Sequence, residues 1–183
     1  TSIINYVDLL KSENDEEKRI EYIQVLEEKS FRLKKLIDDL IDASKASTGN
    51  IRMELQVIDL HQLIRQARGE FEEVFEKKNL NLRLVEGEGP AYVQVDGQNM
   101  WRVLENILGN AAKYAMPGTR VYLESQLTQE HVIVSLKNIS WHPLEMTPDQ
   151  VMERFVRGDQ ARTTEGSGLG LSIASSLVSL QGG

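Results

Sequence analysis

The sequence predicts an α+β protein in two parts, a helical hairpin followed by a mixed α and β region. Three observations lead there. Residues 1–46 carry apolar side chains at heptad spacing. Beyond residue 50, short alternating runs are interleaved with longer amphipathic ones. Near the C-terminus, Gly166, Gly168 and Gly170 stand at every second position before a run of helical spacing. A chain of 183 residues, 40% of them hydrophobic, is long enough for two small units with a buried core.

Composition narrows the possible functions. A net charge of −7 argues against nucleic acid as a main partner, because a phosphate backbone requires a basic face. The absence of cysteine excludes disulfides and thiolate metal sites. No apolar run approaches the ~20 residues of a membrane span. Thr1 begins mid-pattern, without a cap or an initiator Met, so the chain reads as a fragment of a longer protein.

The first helix carries Ile3, Val7 and Leu10, and Ser12-Glu13-Asn14-Asp15 breaks it. The second places Ile23, Leu26, Ser30, Leu33, Ile37, Leu40 and Ser44 at alternating steps of three and four, with Ile20, Leu36 and Ile41 widening the face. So wide a stripe cannot be buried by two helices alone. Dimerisation into a four-helix bundle through residues 1–46 solves the problem, and packing on the chain's own second part is the alternative. Asp38, Asp39 and Asp42, with Lys34 and Lys35 beside them, read as a solvated face.

Ser44 to Asn50 is small and polar and closes on Gly-Asn, so the domains are drawn at 1–46 and 47–183. Beyond it, residues 54–58 predict a strand, and Asp59 caps a helix over 60–78 with Leu63, Ile64, Ala67, Phe71, Val74 and Phe75 inward. Strands are expected at 80–84 and 91–95, a helix at 98–115, and paired strands at 121–127 and 132–136. From Asn138 to Glu165 the pattern dissolves apart from Val151, Met152 and Phe155; a loop of that length in a compact domain suits a lid.

Two stretches carry chemistry. The glycines sit at a helix N-terminus, where free N–H groups and the macrodipole favour a phosphate; a tight packing turn is the bland alternative. On the 98–115 helix, Asn106, Asn110, Lys113 and Tyr114 fall at i, i+4, i+7 and i+8, so they share one face. Two amides, a lysine and a tyrosine suit a magnesium ion held largely by phosphates. A polar solvent face is the alternative. The histidines, His61, His131 and His142, sit in no catalytic or metal-binding spacing and read as packed or exposed side chains.

Leu104 to Tyr114 resembles the N box of sensor histidine kinases, Glu153 to Asp159 their F box, and Gly166 to Leu171 their G2 box. Residues 1–6 resemble the turn after the phosphoacceptor motif of the dimerisation domain, and 17–50 its second helix. The resemblance implies a dimerising helical bundle followed by an α/β sandwich of the type shared with gyrase and Hsp90. It also implies ATP and Mg²⁺ as cofactors, with Asn110 on the metal, Asn106 supporting it, and Lys113 and Tyr114 at phosphate or ribose. Gly166, Gly168, Leu169 and Gly170 would form the phosphate turn, and Arg157 and Arg162 would steady the γ-phosphoryl group. The implied acceptor is a histidine on the bundle, then an aspartate on a response regulator receiver domain.

Three departures stand out. The acceptor histidine is expected before Thr1, outside this chain, and relatives continue into closing strands beyond Gly183. In the G1 region, Asn138 stands where an adenine-reading Asp is usual and Ser140 where a glycine is usual. The expectation is the cytoplasmic portion of a membrane-anchored sensor kinase, with any membrane contact made through a sensor region absent from the chain. A gyrase- or Hsp90-type ATP hydrolase and a non-catalytic scaffold with a degenerate nucleotide site are the other readings.

Overall fold

The computed structural model describes residues 2–48, 52–141, 147–152 and 168–183. They fall into two compact units, Thr1–Ser44 and Lys45–Gly183.

The first unit holds helices α1 (Ser2–Ser12) and α2 (Glu16–Thr48). Asp15 starts α2 by accepting the Glu17 N–H at 3.0 Å, relieving one of the orphan donors of a first turn. The Tyr6 and Tyr22 rings meet edge-on at 5.8 Å, joining α1 to the first turns of α2. Further along α2 the apolar stripe stays open: Leu33, Ile37, Leu40 and Ile41 are all exposed. The helix also runs on to Thr48, over part of the expected linker, since Lys45 and Ala46 are good helix formers. Asp39 is buried, contrary to the solvated face expected for it; a charge pattern alone does not reveal which acid finds a partner.

In the second unit, β1 (Gln56–Asp59) pairs antiparallel with β3 (Tyr92–Val95), while β2 (Asn81–Val85) pairs parallel with β4 (Arg120–Leu127). The hairpin partner of β4 is β5 (Val132–Lys137), antiparallel with Leu123 opposite Leu136. Helices α3 (Leu60–Lys77), α4 (Gly97–Tyr114), α5 (Pro148–Met152) and α6 (Gly170–Ser179) complete the described elements. Leu60, Ile64, Ala67 and Phe75 of α3 meet Leu104, Leu108 and Ala111 of α4 over Val121 and Leu123 of β4. On β4 the alternation is strict, with Val121, Leu123 and Ser125 buried and their neighbours turned outward.

Asp59 caps α3 by accepting from the His61 N–H and also takes the Ala91 N–H, each at 3.0 Å. The Ala91 amide acts against partial burial, and with the His61 and Gln62 amides and the Arg65 charge it holds the Asp59 carboxyl below its usual range. Asn79 ends the helix at φ 54°, the left-handed conformation a short amide side chain tolerates. Two expectations are corrected. Val74 is 41% exposed rather than inward, lying at the margin of the apolar stripe. His61 is wholly buried, with Nδ1 2.8 Å from the Gly89 carbonyl oxygen and Nε2 2.8 Å from Ser125 Oγ, so both ring nitrogens are satisfied.

Candidate nucleotide site

Helix α4 begins at Asp96, whose Oδ1 accepts the Asn99 N–H at 3.0 Å. Leu104, Leu108, Ala111 and Ala112 then turn into the core. That orientation leaves Asn106, Asn110, Lys113 and Tyr114 on the half-buried flank, as the helical period requires, and Glu105 exposed.

Helix α6 packs on α4 through Leu169, Ile173, Ala174 and Leu177, all buried. Gly168 has φ 72°, a conformation that glycine adopts freely and side chains resist. Gly170 opens α6, and a β-carbon there would stand 3.0 Å from Asn106 Oδ1. The middle of α4 is therefore pressed against the glycine turn, with room for backbone alone. Leu169 buries its side chain and contributes no side-chain cap to the helix start, so whatever it offers a ligand is backbone.

Lys113 and Tyr114 are joined to each other. The ammonium donates to the Tyr114 hydroxyl at 2.6 Å and lies 4.5 Å from the centroid of that ring. The segment after β5 runs beside the end of α4: Met116 N–H donates to the Ile139 carbonyl at 2.7 Å, and Ala115 bridges Ser140. Asn138 is exposed there, its Nδ2 donating to Ser140 Oγ at 3.3 Å. Arg157, Arg162 and Gly166 lie outside the described residues, as do His142 and Phe155.

The surface depressions lie elsewhere. One of about 370 Å³ is lined by Glu76, Asn79 and Arg120, and one of about 420 Å³ by Tyr122, Lys137 and Asn138 among others. Neither includes the polar flank of α4, and neither gathers groups that could act on a substrate. Among the described residues no cluster of three or more His, Cys, Asp or Glu side chains could cage a metal ion. Amide oxygens at Asn106 and Asn110 are hard donors, suited to an ion that takes its other ligands from phosphates and water.

One pair was not anticipated. Asp96 is buried, and its N–H donates to Gln181 Oε1 at 2.7 Å just beyond α6. The signal for Asp96 was legible, an Asp three residues before Asn99 at the head of an apolar helical run. Gln181 had no signal of its own.

Residues 95–183 match the family described as the histidine kinase-, DNA gyrase B- and HSP90-like ATPases. The sensor protein VanSC of Enterococcus gallinarum is 30% identical over 187 residues, covering 100% of this chain and 51% of that protein. Full-length ShkA in complex with AMPPNP superposes with a TM-score of 0.76 at 23% identity, covering 99% of this chain and 38% of that one. Histidine kinase ThkA in complex with response regulator protein TrrA gives 0.71 at 21% identity, covering 99% and 50%. These two structures establish the fold. The chain spans about half of VanSC and smaller shares of other curated sensor proteins. The chain belongs to the two-component sensor histidine kinases, and residues 95–183 carry their ATP-binding catalytic domain.

Proposed function

We propose that this chain binds Mg-ATP on the polar flank of α4, facing the glycine turn before α6, and positions the γ-phosphoryl group for transfer to a histidine. The observation that carries the reading is the close approach of Asn106 to Gly170, which places the amide-bearing face against a turn with no side-chain bulk. Asn110, one turn further on the same face, would hold Mg²⁺, and Asn106 would support it. When bound, the ion neutralises phosphate oxygens as charge redistributes during transfer. The protein's own part is placement and electrostatics: backbone N–H groups at the start of α6 meet phosphate, and Lys113 exchanges its bond to Tyr114 for one to an anion.

The acceptor would be a histidine on the dimerisation helix, and the next acceptor an aspartate on a response regulator, the class of partner held by ThkA. The exposed stripe along α2 supports homodimerisation through the helices. No described helix is long and apolar enough to cross a membrane. The kinase reading therefore places this chain in the cytoplasmic portion of a membrane-anchored sensor, like the sensor proteins it resembles. Glu105 is exposed while Asn106 occupies the place facing the turn, so a water-activating carboxylate is missing from the position a hydrolase needs.

The test is incubation with γ-labelled ATP and Mg²⁺, with and without a separate fragment carrying a phosphoacceptor helix. Acid-labile label on the fragment alone is expected. Label on this chain alone would mean that His61, His131 or His142 is the acceptor and would overturn the reading.

A further inference from the structure

The buried Asp96 joins three parts of the second unit. Its Oδ1 accepts from Asn99 in the first turn of α4, and its Oδ2 accepts the Glu54 N–H at 2.9 Å. Its own N–H is taken by Gln181 Oε1, while Gln181 Nε2 donates to the Leu177 carbonyl at 2.8 Å and so braces itself on the last turn of α6. Asn99 Nδ2 reaches Met53 Sδ at 3.3 Å, adding a second tie to the chain that follows α2.

Asp96 stands at the start of α4 and Gln181 just past the end of α6, whereas Asn106 in the middle of α4 meets Gly170 at the start of α6. The helices therefore run antiparallel and touch at two places. Ten residues separate the places on α4 and eleven on α6, about 15 Å along each axis at the helical rise. A clamp at one end of two packed rods of equal span fixes the gap at the other, because close-packed interiors transmit displacement rather than absorb it.

We propose that Asp96 and Gln181 form a clasp that positions α4 against the glycine turn. The Met53–Glu54 segment, held by the same carboxylate, is then the point at which a pull on the chain entering from α2 reaches the nucleotide site. This rests on the reading of the α4 flank and glycine turn as that site. Both are positioning residues, since neither lies on the polar flank. Burial favours the neutral acid, but the amides of Asn99, Glu54 and Gln98 outweigh it and keep the Asp96 carboxyl below its ordinary range. The clasp is thus built around a carboxylate that stays charged at neutral pH.

The test uses the whole chain and three variants. Gln181→Met keeps length and apolar packing but loses the acceptor; Gln181→Glu keeps the acceptor; Glu54→Pro removes the N–H on Asp96 Oδ2. Amide hydrogen exchange is read at Leu171–Ile173, at the far end of α6, and ATP affinity is read by calorimetry on the folded protein. Gln181→Met is expected to speed that exchange and weaken ATP, each about three- to tenfold, the weight of one neutral hydrogen bond. Gln181→Glu should restore both, and Glu54→Pro should weaken ATP without touching α6. Wild-type exchange in Gln181→Met overturns the clasp. Faster exchange with unchanged ATP affinity overturns its positioning role. Faster exchange in a protein that binds no ATP in any form leaves the clasp standing and overturns the reading of the site it serves.

Discussion

On α4, Leu104 and Leu108 are 2% and 0% exposed, whereas on α2 Ile23, Ile37 and Leu40 are 50%, 49% and 54% exposed. Both helices carry apolar residues at helical spacing, and spacing alone does not separate them. The difference lies in what the chain supplies opposite. Helix α4 is met by α3, β4 and α6 within one unit. The later turns of α2 have no such cover, because α1 is 11 residues long against 33. An apolar stripe thus shows that burial is needed without showing whether it comes from the same chain. The kinase reading turns that difference into a division of labour: a self-sufficient catalytic unit and a helical unit completed by a second copy.

The sharpest way to break the comparison is to cut a side chain from each stripe. Leu108→Ala should cost the second unit about 3 kcal/mol, the transfer and cavity cost of a fully buried leucine, read as a lowered urea midpoint. Ile37→Asp should leave that midpoint in place and raise the dimer dissociation constant at least about tenfold, since each copy would put a charge into the seam. Sedimentation measures it. An unchanged association state would remove the dimer from the account.

Smaller effects are expected at the contact between α4 and the glycine turn. In Gly170→Ala the new β-carbon meets Asn106 Oδ1 at 3.0 Å, so Asn106 has to shift by a few tenths of an ångström. ATP affinity should fall several-fold, about 1 kcal/mol, the scale of one disturbed hydrogen bond. The fold should survive. If ATP binds Gly170→Ala as it binds the wild type, the close approach is packing alone.

The smallest expected effect is on pH dependence. The Asp96 carboxyl titrates below its ordinary 3.8 in the folded chain. Its contribution is therefore fully present above that value and is lost as pH falls through the lower folded one. Asp96→Asn should flatten this acid limb in the second unit, while the helical unit, which lacks this carboxylate, should titrate as before. Urea midpoints across the acid range decide it.

Much of this was legible beforehand. Period-two runs placed β2 and β5 to within a residue, and Asp59 marked the start of α3. The N-box and G2-box residues announced both sides of the site, because glycine spacing and amides one turn apart are local signals. What sequence could not supply was non-local. The Asp96–Gln181 bond joins residues 85 apart, and no periodicity links them. His61 looked unremarkable because its partners, the Gly89 carbonyl and Ser125 hydroxyl, come from a loop and a strand far along the chain. Val74 fell at the edge of a stripe, where spacing does not fix a side. The bond between Lys113 and Tyr114 is a local pairing, but either residue alone reads as free for a ligand.

The central claim is that the amide face of α4 holds metal-bound nucleotide. Calorimetry of ATP with Mg²⁺ and with EDTA, on the wild type and on Asn110→Ala, tests it most directly. Asn110 is half-buried on the polar flank of α4, outside the core cluster, so the variant should fold normally. The account predicts Mg-dependent binding in the wild type and loss of that dependence in Asn110→Ala, with the urea midpoint unchanged. Equal Mg-ATP affinity in the two proteins would contradict it.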